Sequence, residues 1–337
     1  MVELWFYSGR IGNCMFAYAF NRCIADTLKL QCQLPKGTEI TGFPNITSDS
    51  VDVKEHDKKY TIYKDYVSNP RTKVHENDNM VWLLEKQFQG KKLESYSDCL
   101  TIQKVLAMPD IEKKWLVTLG NFETGEQYLP YREKLKEWFT FPKIDLGKFE
   151  FFKIHPDLGK PNYYIHTQFP TINKDDLVIS LRLEDYTSIQ NLDRLLTYDY
   201  FKIILESKKW NNVYIITNPG SIGHNDQYNW IKEFYPYDPI VVRCYDPVQS
   251  LAFGAQFNNI AISQSTYSWW LAFLSNAENI YYPIPKNGPF SFDDLKYKGV
   301  DLRIASSDFK YVDEKTKVIL PNDYYTKIDY KNKKWID

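Results

Sequence analysis

Near its start the chain reads Ser8-Gly9-Arg10-Ile11-Gly12-Asn13-Cys14-Met15-Phe16. The apolar residues 4–7 before this segment predict a short buried strand, and its two glycines allow a tight turn with exposed backbone amides. From Met15 onward, apolar residues recur at helical spacing. A strand, a glycine turn and a helix together direct free N–H groups at an anion. Because glycine turns are common in α/β proteins, the segment alone predicts the fold more strongly than a ligand.

A regular alternation of strands and helices follows in the second half of the chain. The predicted strands cover residues 177–181, 212–217, 240–243, 259–262 and 280–283, and the predicted helices cover 198–207, 225–234, 247–256 and 268–275. Repeated β–α units predict a parallel sheet that binds its ligands at the carboxyl ends of its strands.

The length of 337 residues suits two domains. Prolines, glycines and charges make residues 154–175 the best candidate linker. We therefore expect one domain over residues 1–165, a second over 166–305, and a peripheral C-terminal tail over 306–337. Polar, punctuated residues 41–80 predict irregular structure.

Composition excludes several classes of protein. A formal net charge of −1 argues against general affinity for nucleic acid or anionic membranes. Five cysteines without a CxxC spacing favour free thiols in a reducing compartment over a disulfide framework or a zinc site. The longest apolar stretch, residues 269–274, is too short to span a bilayer. With no signal peptide before the first motif, we expect a cytoplasmic protein without a transmembrane segment.

Arg182 stands at the carboxyl end of the strand predicted over residues 177–181. A guanidinium carries a permanent charge, and its fork of donors matches phosphate oxygens. Arg182 is therefore a candidate phosphate ligand. The alternative is a surface salt bridge with Glu184 or Asp185.

A second polar cluster follows the strand predicted over residues 259–262. Hydroxyls and helix N-terminal amides together form a good anion site. The alternative is that Ser265 or Ser268 only caps the helix, while Trp269 and Trp270 pack in the core. The cluster contains Ser263, Ser265, Thr266, Tyr267 and Ser268.

Taken together, three segments resemble the α-1,2-fucosyltransferases of glycosyltransferase family 11. They are the Gly-x-x-Gly-Asn-x-Met-Phe-x-Tyr-Ala pattern near the start, the central Arg-x-x-Asp-Tyr, and the late Ser-x-Ser-Thr-Tyr-Ser-Trp-Trp. The resemblance implies a GT-B fold, in which two Rossmann-like domains face each other across a cleft. It also implies an inverting, metal-independent transfer of L-fucose from GDP-fucose, used as a substrate, to a hydroxyl of a glycan acceptor, with no separate cofactor. The first domain would then bind the acceptor and the second the nucleotide sugar.

The resemblance also assigns roles to single residues. Arg182 matches the arginine that binds the donor phosphate, Asp185 matches the acid that ends the same motif, and Asp246 matches an acid that helps to hold the nucleoside. Separately from the resemblance, Glu184 and Asp185 are the only acids of the matched motifs expected near the acceptor hydroxyl. They are the candidates for a base that takes its proton, and the alternative is that a good leaving group needs little help from a base. The remaining donor-site residues are Arg10, Gly12 and Asn13 in the first motif and Ser263, Ser265, Thr266 and Tyr267 in the third. Asn13 is also a candidate catalytic residue, expected to contact the sugar or the acceptor in the reacting state.

The central motif departs from the family pattern His-x-Arg-Arg-Gly-Asp. Ser180 stands in place of the histidine, Leu183 in place of the second arginine, and Glu184 in place of the glycine. These changes leave two alternatives open. In the first alternative the chain is a transferase of the same fold that uses another nucleotide sugar, such as that of a different deoxyhexose or a pentose. In the second it is a noncatalytic protein that binds nucleotides or sugars.

Overall fold

The computed structural model describes the chain in segments that pack as two compact units, the first ending at Thr140 and the second beginning at Phe141. The described residues are 1–6, 10–33, 39–46, 73–77, 80–84, 100–120, 122–123, 125–153, 171–183, 195–218, 230–283, 308–314, 316–320, 328–329 and 334–335.

The first unit is built on a five-stranded sheet with the order β2-β1-β5-β4-β3, in which every neighbouring pair is parallel except β3 with β4. Its strands are β1 Val2–Phe6, β2 Cys32–Gln33, β3 Lys73–Asn77, β4 Met80–Leu84 and β5 Trp115–Leu119. Its helices are α1 Ile11–Leu28, α2 Ile102–Leu106 and α3 Arg132–Trp138, with 3₁₀ turns at Glu39–Gly42, Ile111–Lys113 and Gly125–Tyr131.

Helix α1 is buried along most of its length, which explains its nearly continuous apolar sequence. The ring of Phe20 stacks on Phe122 with centroids 3.8 Å apart. On the same helix Asn21 accepts a hydrogen bond from the Thr118 hydroxyl of β5 at 2.8 Å. The helix ends at Lys29, whose left-handed φ of 59° turns the chain toward β2.

The second unit is built on an eight-stranded sheet with the order β13-β12-β11-β10-β7-β8-β9-β6. Its strands are β6 Phe149–Lys153, β7 Leu177–Leu181, β8 Val213–Thr217, β9 Ile240–Cys244, β10 Asn259–Ile262, β11 Asn279–Pro283, β12 Phe309–Asp313 and β13 Val318–Leu320. Its helices are α4 Tyr198–Glu206, α5 Pro247–Gly254 and α6 Thr266–Leu274, with 3₁₀ turns at Leu146–Lys148 and Tyr235–Tyr237. A small hairpin pairs β14 Ile328–Asp329 with β15 Lys334–Trp335.

The six central strands are parallel and run β9-β8-β7-β10-β11-β12, which is the classical Rossmann order 3-2-1-4-5-6. Antiparallel β6 and β13 extend the two edges. The strand order reverses between β7 and β10, where Ser180 pairs with Ile262. In such sheets ligands bind outside the carboxyl ends of the strands at this switch point.

The predicted α/β class is confirmed, with a mostly parallel sheet in the first unit and a sheet of Rossmann strand order in the second. The predicted boundary near residue 165 differs from the division at Thr140, because β6 pairs with β9 and so belongs to the second sheet. Of the predicted linker, residues 154–170 lie outside the described residues.

Two predictions about irregular segments are corrected. Residues 306–337 are not wholly peripheral, because β12 lies in the second sheet with Phe309, Tyr311 and Val312 buried. Residues 41–80 include β3, which pairs with β4 as an antiparallel hairpin. The apolar run Met80–Leu84 after Asp78-Asn79 was the signal for this hairpin. The predicted helix at 225–234 is described only from residue 230.

Candidate functional site

Two hydrogen bonds at the switch point of the second sheet fix the backbone around Arg182. The amide of Arg182 donates to the Ser263 hydroxyl at 3.0 Å, and the amide of Ser263 donates to the Ser180 carbonyl at 3.1 Å. Ser263 is buried, whereas Arg182 is only partly buried. These bonds fix the path of the chain where Arg182 leaves β7, so its guanidinium starts from a rigid base.

The turn from β10 into α6 is stabilised by three serine hydroxyls. Ser265 caps the helix, since its hydroxyl accepts from the Ser268 amide at 3.0 Å and also donates to the Ser268 hydroxyl at 2.9 Å. The Ser268 hydroxyl lies 2.9 Å from that of Ser180 on β7. The side chains of Ser263 and Ser265 therefore hold the turn together. An anion at this turn would meet the N-terminus of α6, where the helix dipole is positive.

Thr266 and Tyr267 form the first turn of α6 and differ in their surroundings. Thr266 is partly exposed at the first helical position. The Tyr267 hydroxyl donates to the Pro247 carbonyl at 2.9 Å and so joins α6 to α5. Burial raises the pKa of Tyr267, although the Ser250 hydroxyl and the charge of Arg182 act in the opposite direction. Tyr267 therefore stays neutral beside Arg182.

Asp246, the predicted nucleoside ligand, caps helix α5. Its Oδ1 accepts from the amides of Val248 and Gln249 at 3.0 and 3.1 Å, and its Oδ2 lies 2.7 Å from the Lys148 ammonium. Burial acts to raise the pKa of this carboxyl, but the bonds from Lys148 and the two amides outweigh it and lower the pKa. Both carboxylate oxygens are thus engaged in supporting α5.

The remainder of the third motif anchors α6 in the core. Trp269 and Trp270 are fully buried, and the Trp269 ring stacks on Phe273 with centroids 4.5 Å apart. The core assignment of both tryptophans is confirmed. The N-terminus of α6 consequently cannot shift without disturbing the packing beneath it.

The first motif forms the N-terminus of α1, which begins at Ile11, earlier than the apolar spacing predicted. The carbonyl of Arg10 accepts from the amides of Asn13 and Cys14 at 2.9 and 3.2 Å. Arg10 is exposed, Gly12 is buried and Asn13 is partly buried. This turn follows β1, beside the switch point between β1 and β5 of the first sheet. Gly9 lies outside the described residues.

Two positions where the chain departs from the family pattern are used for packing. Ser180 is buried and bonded to Ser268, and Leu183 is fully buried in the core cluster around α4. The predicted acids Glu184 and Asp185 lie outside the described residues.

Sequence reasoning missed two polar groups at the same edge of the second sheet. Thr217 ends β8 and is buried, and Tyr245 follows β9 and is exposed. Both stand directly at the carboxyl ends of parallel strands, which was the available signal.

Other features lie apart from these residues. A groove of about 500 Å³ runs between α4 and β13 and is lined by Asp199, Lys202, Ile203, Glu206, Ser207 and residues 317–319. Within the described segments, no three acidic, histidine or cysteine side chains cluster in a way that suits a metal ion. Nor does any helix of those segments have the length and apolar character needed to cross a membrane.

Comparison with protein families and with curated proteins found no match. Among solved structures, the chain is similar to a mutant of Arabidopsis thaliana FUT1 in complex with GDP, with 11% identity and a TM-score of 0.44. The alignment covers 83% of this chain and 70% of the other. A likeness this weak carries none of the functional argument, which rests on the residues of this chain.

Proposed function

We propose that the chain is a metal-independent glycosyltransferase that uses a nucleotide sugar, with GDP-fucose as the leading donor. The transfer inverts the configuration at the anomeric carbon. The observation that carries the proposal is the position of Arg182. It leaves β7 at the switch point, and its backbone is bonded to Ser263 beside the N-terminus of α6. A guanidinium whose backbone is anchored beside a helix N-terminus is suited to a diphosphate.

In this proposal the acceptor hydroxyl attacks the anomeric carbon as the bond from that carbon to the diphosphate oxygen breaks. The electron pair leaves with the diphosphate, where negative charge grows. Arg182 and the N-terminus of α6 stabilise that charge without having to reorganise. The acceptor proton passes to Glu184 or Asp185, the acids of the central motif. We assign Arg10, Gly12 and Asn13 of α1 to the sugar or the acceptor.

A second candidate is a transferase of the same fold that uses another nucleotide sugar. It is favoured by the packing roles of Ser180 and Leu183. These two residues replace the histidine and an arginine of the family motif. Because Ser180 is bonded to Ser268 and Leu183 is fully buried, neither side chain offers the charge or the ring that the family residue supplies. The donor contacts must therefore differ here even if the phosphate site is retained.

A thermal-shift panel with GDP, UDP and dTDP tests the proposal, because a ligand that binds only the folded state raises the melting temperature. We expect a shift with GDP, followed by fucose transfer from GDP-fucose to oligosaccharide acceptors in a product assay. A shift with UDP or dTDP alone would favour the second candidate. Binding without transfer from any matching nucleotide sugar would indicate a noncatalytic protein, and the absence of any shift would contradict the proposal.

A further inference from the structure

Tyr245 is the most exposed large apolar side chain among the described residues. It is 71% exposed, against 50% for Leu146, 47% for Val318 and 41% for Tyr235. It directly follows β9, so it stands at the carboxyl edge of the second sheet, the same edge that Arg182 leaves. An exposed tyrosine ring at a ligand-binding edge has an apolar face on which a planar ligand group can stack.

The Tyr245 ring is supported from beneath. The Arg243 guanidinium lies 5.8 Å from the centroid of Tyr245 and 4.8 Å from that of Phe152. Arg243 is itself held by an ion pair with Glu150 on the neighbouring strand β6. The backbone after Tyr245 is fixed by the Asp246 cap of α5. One face of the ring therefore rests on a fixed cation, and the ring as a whole is largely open to solvent.

Thr217 provides an independent sign of a ligand at this edge. It ends β8, pairs with Leu181 of β7, and is 5% exposed. Its hydroxyl has no hydrogen-bond partner within the described part of the chain. Side chains two residues apart on a strand share a face. Ile215 of β8 pairs with Val241 of β9. Because Thr217 lies two residues after Ile215 and Arg243 two residues after Val241, Thr217 and Arg243 lie on the same face of the sheet.

We propose that Tyr245 and Thr217 form the nucleoside subsite of the donor site, with the base stacked on the Tyr245 ring and the Thr217 hydroxyl bonded to the ribose or the base. This inference rests on the proposed function. Strands β7 and β9 are two spacings apart, about 10 Å, which is comparable to the separation of the phosphates from the base in an extended nucleotide. The stack on Tyr245 then takes over the nucleoside contact that sequence resemblance assigned to Asp246.

The test compares binding of a nucleoside diphosphate with binding of inorganic pyrophosphate by the full chain. The nucleotide is whichever of GDP, UDP and dTDP binds the wild type most tightly. Stacking on an aromatic side chain predicts that Tyr245→Ala weakens nucleotide binding about tenfold or more and leaves pyrophosphate binding unchanged. Tyr245→Phe keeps the ring and should bind as the wild type does. Tyr235→Ala is the matched control, because this exposed tyrosine precedes β9 at the other end of the strand.

Thr217→Val tests the hydroxyl at nearly constant shape. We expect it to weaken nucleotide binding several-fold. Without nucleotide its melting temperature should be equal to or above that of the wild type, because an unsatisfied buried hydroxyl is removed.

The outcomes separate the two proposals. If no nucleotide binds the wild type, the proposed function fails, and the subsite fails with it. If a nucleotide binds the wild type and binds Tyr245→Ala and Thr217→Val equally well, the subsite is overturned while the proposed function stands. A parallel loss of pyrophosphate binding in Tyr245→Ala would also overturn it, because the defect would then not be specific to the nucleoside.

Discussion

The backbone amide of Arg182 donates a hydrogen bond to the hydroxyl of Ser263 at 3.0 Å. This bond joins the carboxyl ends of β7 and β10, the two strands between which the strand order of the second sheet reverses. The residue proposed to bind phosphate is therefore placed by a side chain of the third motif, although the two lie far apart in the sequence.

Arg182→Ala is expected to reduce transfer by about two to three orders of magnitude, the scale of losing one transition-state donor. Arg182→Lys should restore only part of the activity, because an ammonium cannot make a two-pronged contact with phosphate. Steady-state kinetics with the matching donor measure both variants, and their melting temperatures should stay near that of the wild type. Transfer close to normal in Arg182→Ala would remove the phosphate role, and loss of folding would favour the salt-bridge alternative.

Ser263→Ala should lower transfer about tenfold, less than Arg182→Ala, since it leaves the Arg182 amide without its acceptor and loosens the base of the side chain. The unmet, partly buried amide should also lower the unfolding free energy, by less than the roughly 1–3 kcal/mol that a fully buried unsatisfied group costs. Ser275→Ala is the control, because it removes another buried serine hydroxyl at the far end of α6, bonded to the Ala272 carbonyl at 2.8 Å. Equal losses of transfer in the two variants would show that Ser263 acts only through stability.

The cap at Asp246 predicts a pH dependence of stability. Because the pKa of Asp246 is lowered in the folded protein, its stabilising contribution is complete above the pKa of the unfolded state, about 4. It is lost as the pH falls through the lower folded value. Asp246→Asn keeps a capping side chain without the charge.

Urea unfolding at neutral and acid pH measures this contribution. The wild type should be more stable than Asp246→Asn at neutral pH, and the difference should shrink below about pH 4. A difference that does not change with pH would contradict the ionised cap. A large loss of nucleotide affinity in Asp246→Asn at unchanged stability would instead restore the nucleoside role expected from the sequence.

Gly254→Ala should destabilise the second unit. A Cβ at this position would lie 2.8 Å from Leu271 Cδ1 and 2.9 Å from Ile216 Cδ1, inside the core between α5, α6 and β8. Overpacking typically costs about 1–3 kcal/mol of unfolding free energy, and the higher helix propensity of alanine offsets part of this cost. Gly147→Ala is the control, since its nearest contact is the Asp145 Oδ1 at 3.3 Å and it should leave stability within about 0.5 kcal/mol. Equal denaturant midpoints for Gly254→Ala and Gly147→Ala would contradict the predicted overpacking at Gly254.

Much of the second unit could be predicted from its sequence because its signals are local. The predicted strands at 177–181 and 280–283 differ little from β7 and β11, since apolar runs bounded by turn residues mark buried parallel strands. The placement of β6 was missed because it joins the sheet through β9, a partner distant in the chain. Pairing of this kind leaves no periodic signature in the strand itself.

For the candidate site, the sequence by itself determined the residue types and their order: an arginine after one strand, hydroxyls before a helix, and buried tryptophans within it. Only the tertiary structure decided how each group is used. It bonds Ser263 to the Arg182 amide, engages Asp246 in a helix cap, and leaves Tyr245 exposed and the Thr217 hydroxyl unsatisfied within the described residues. The physical reason is that a polar side chain satisfies its hydrogen bonds with whatever the fold brings near it, and in a parallel sheet those neighbours come from strands far apart in the chain.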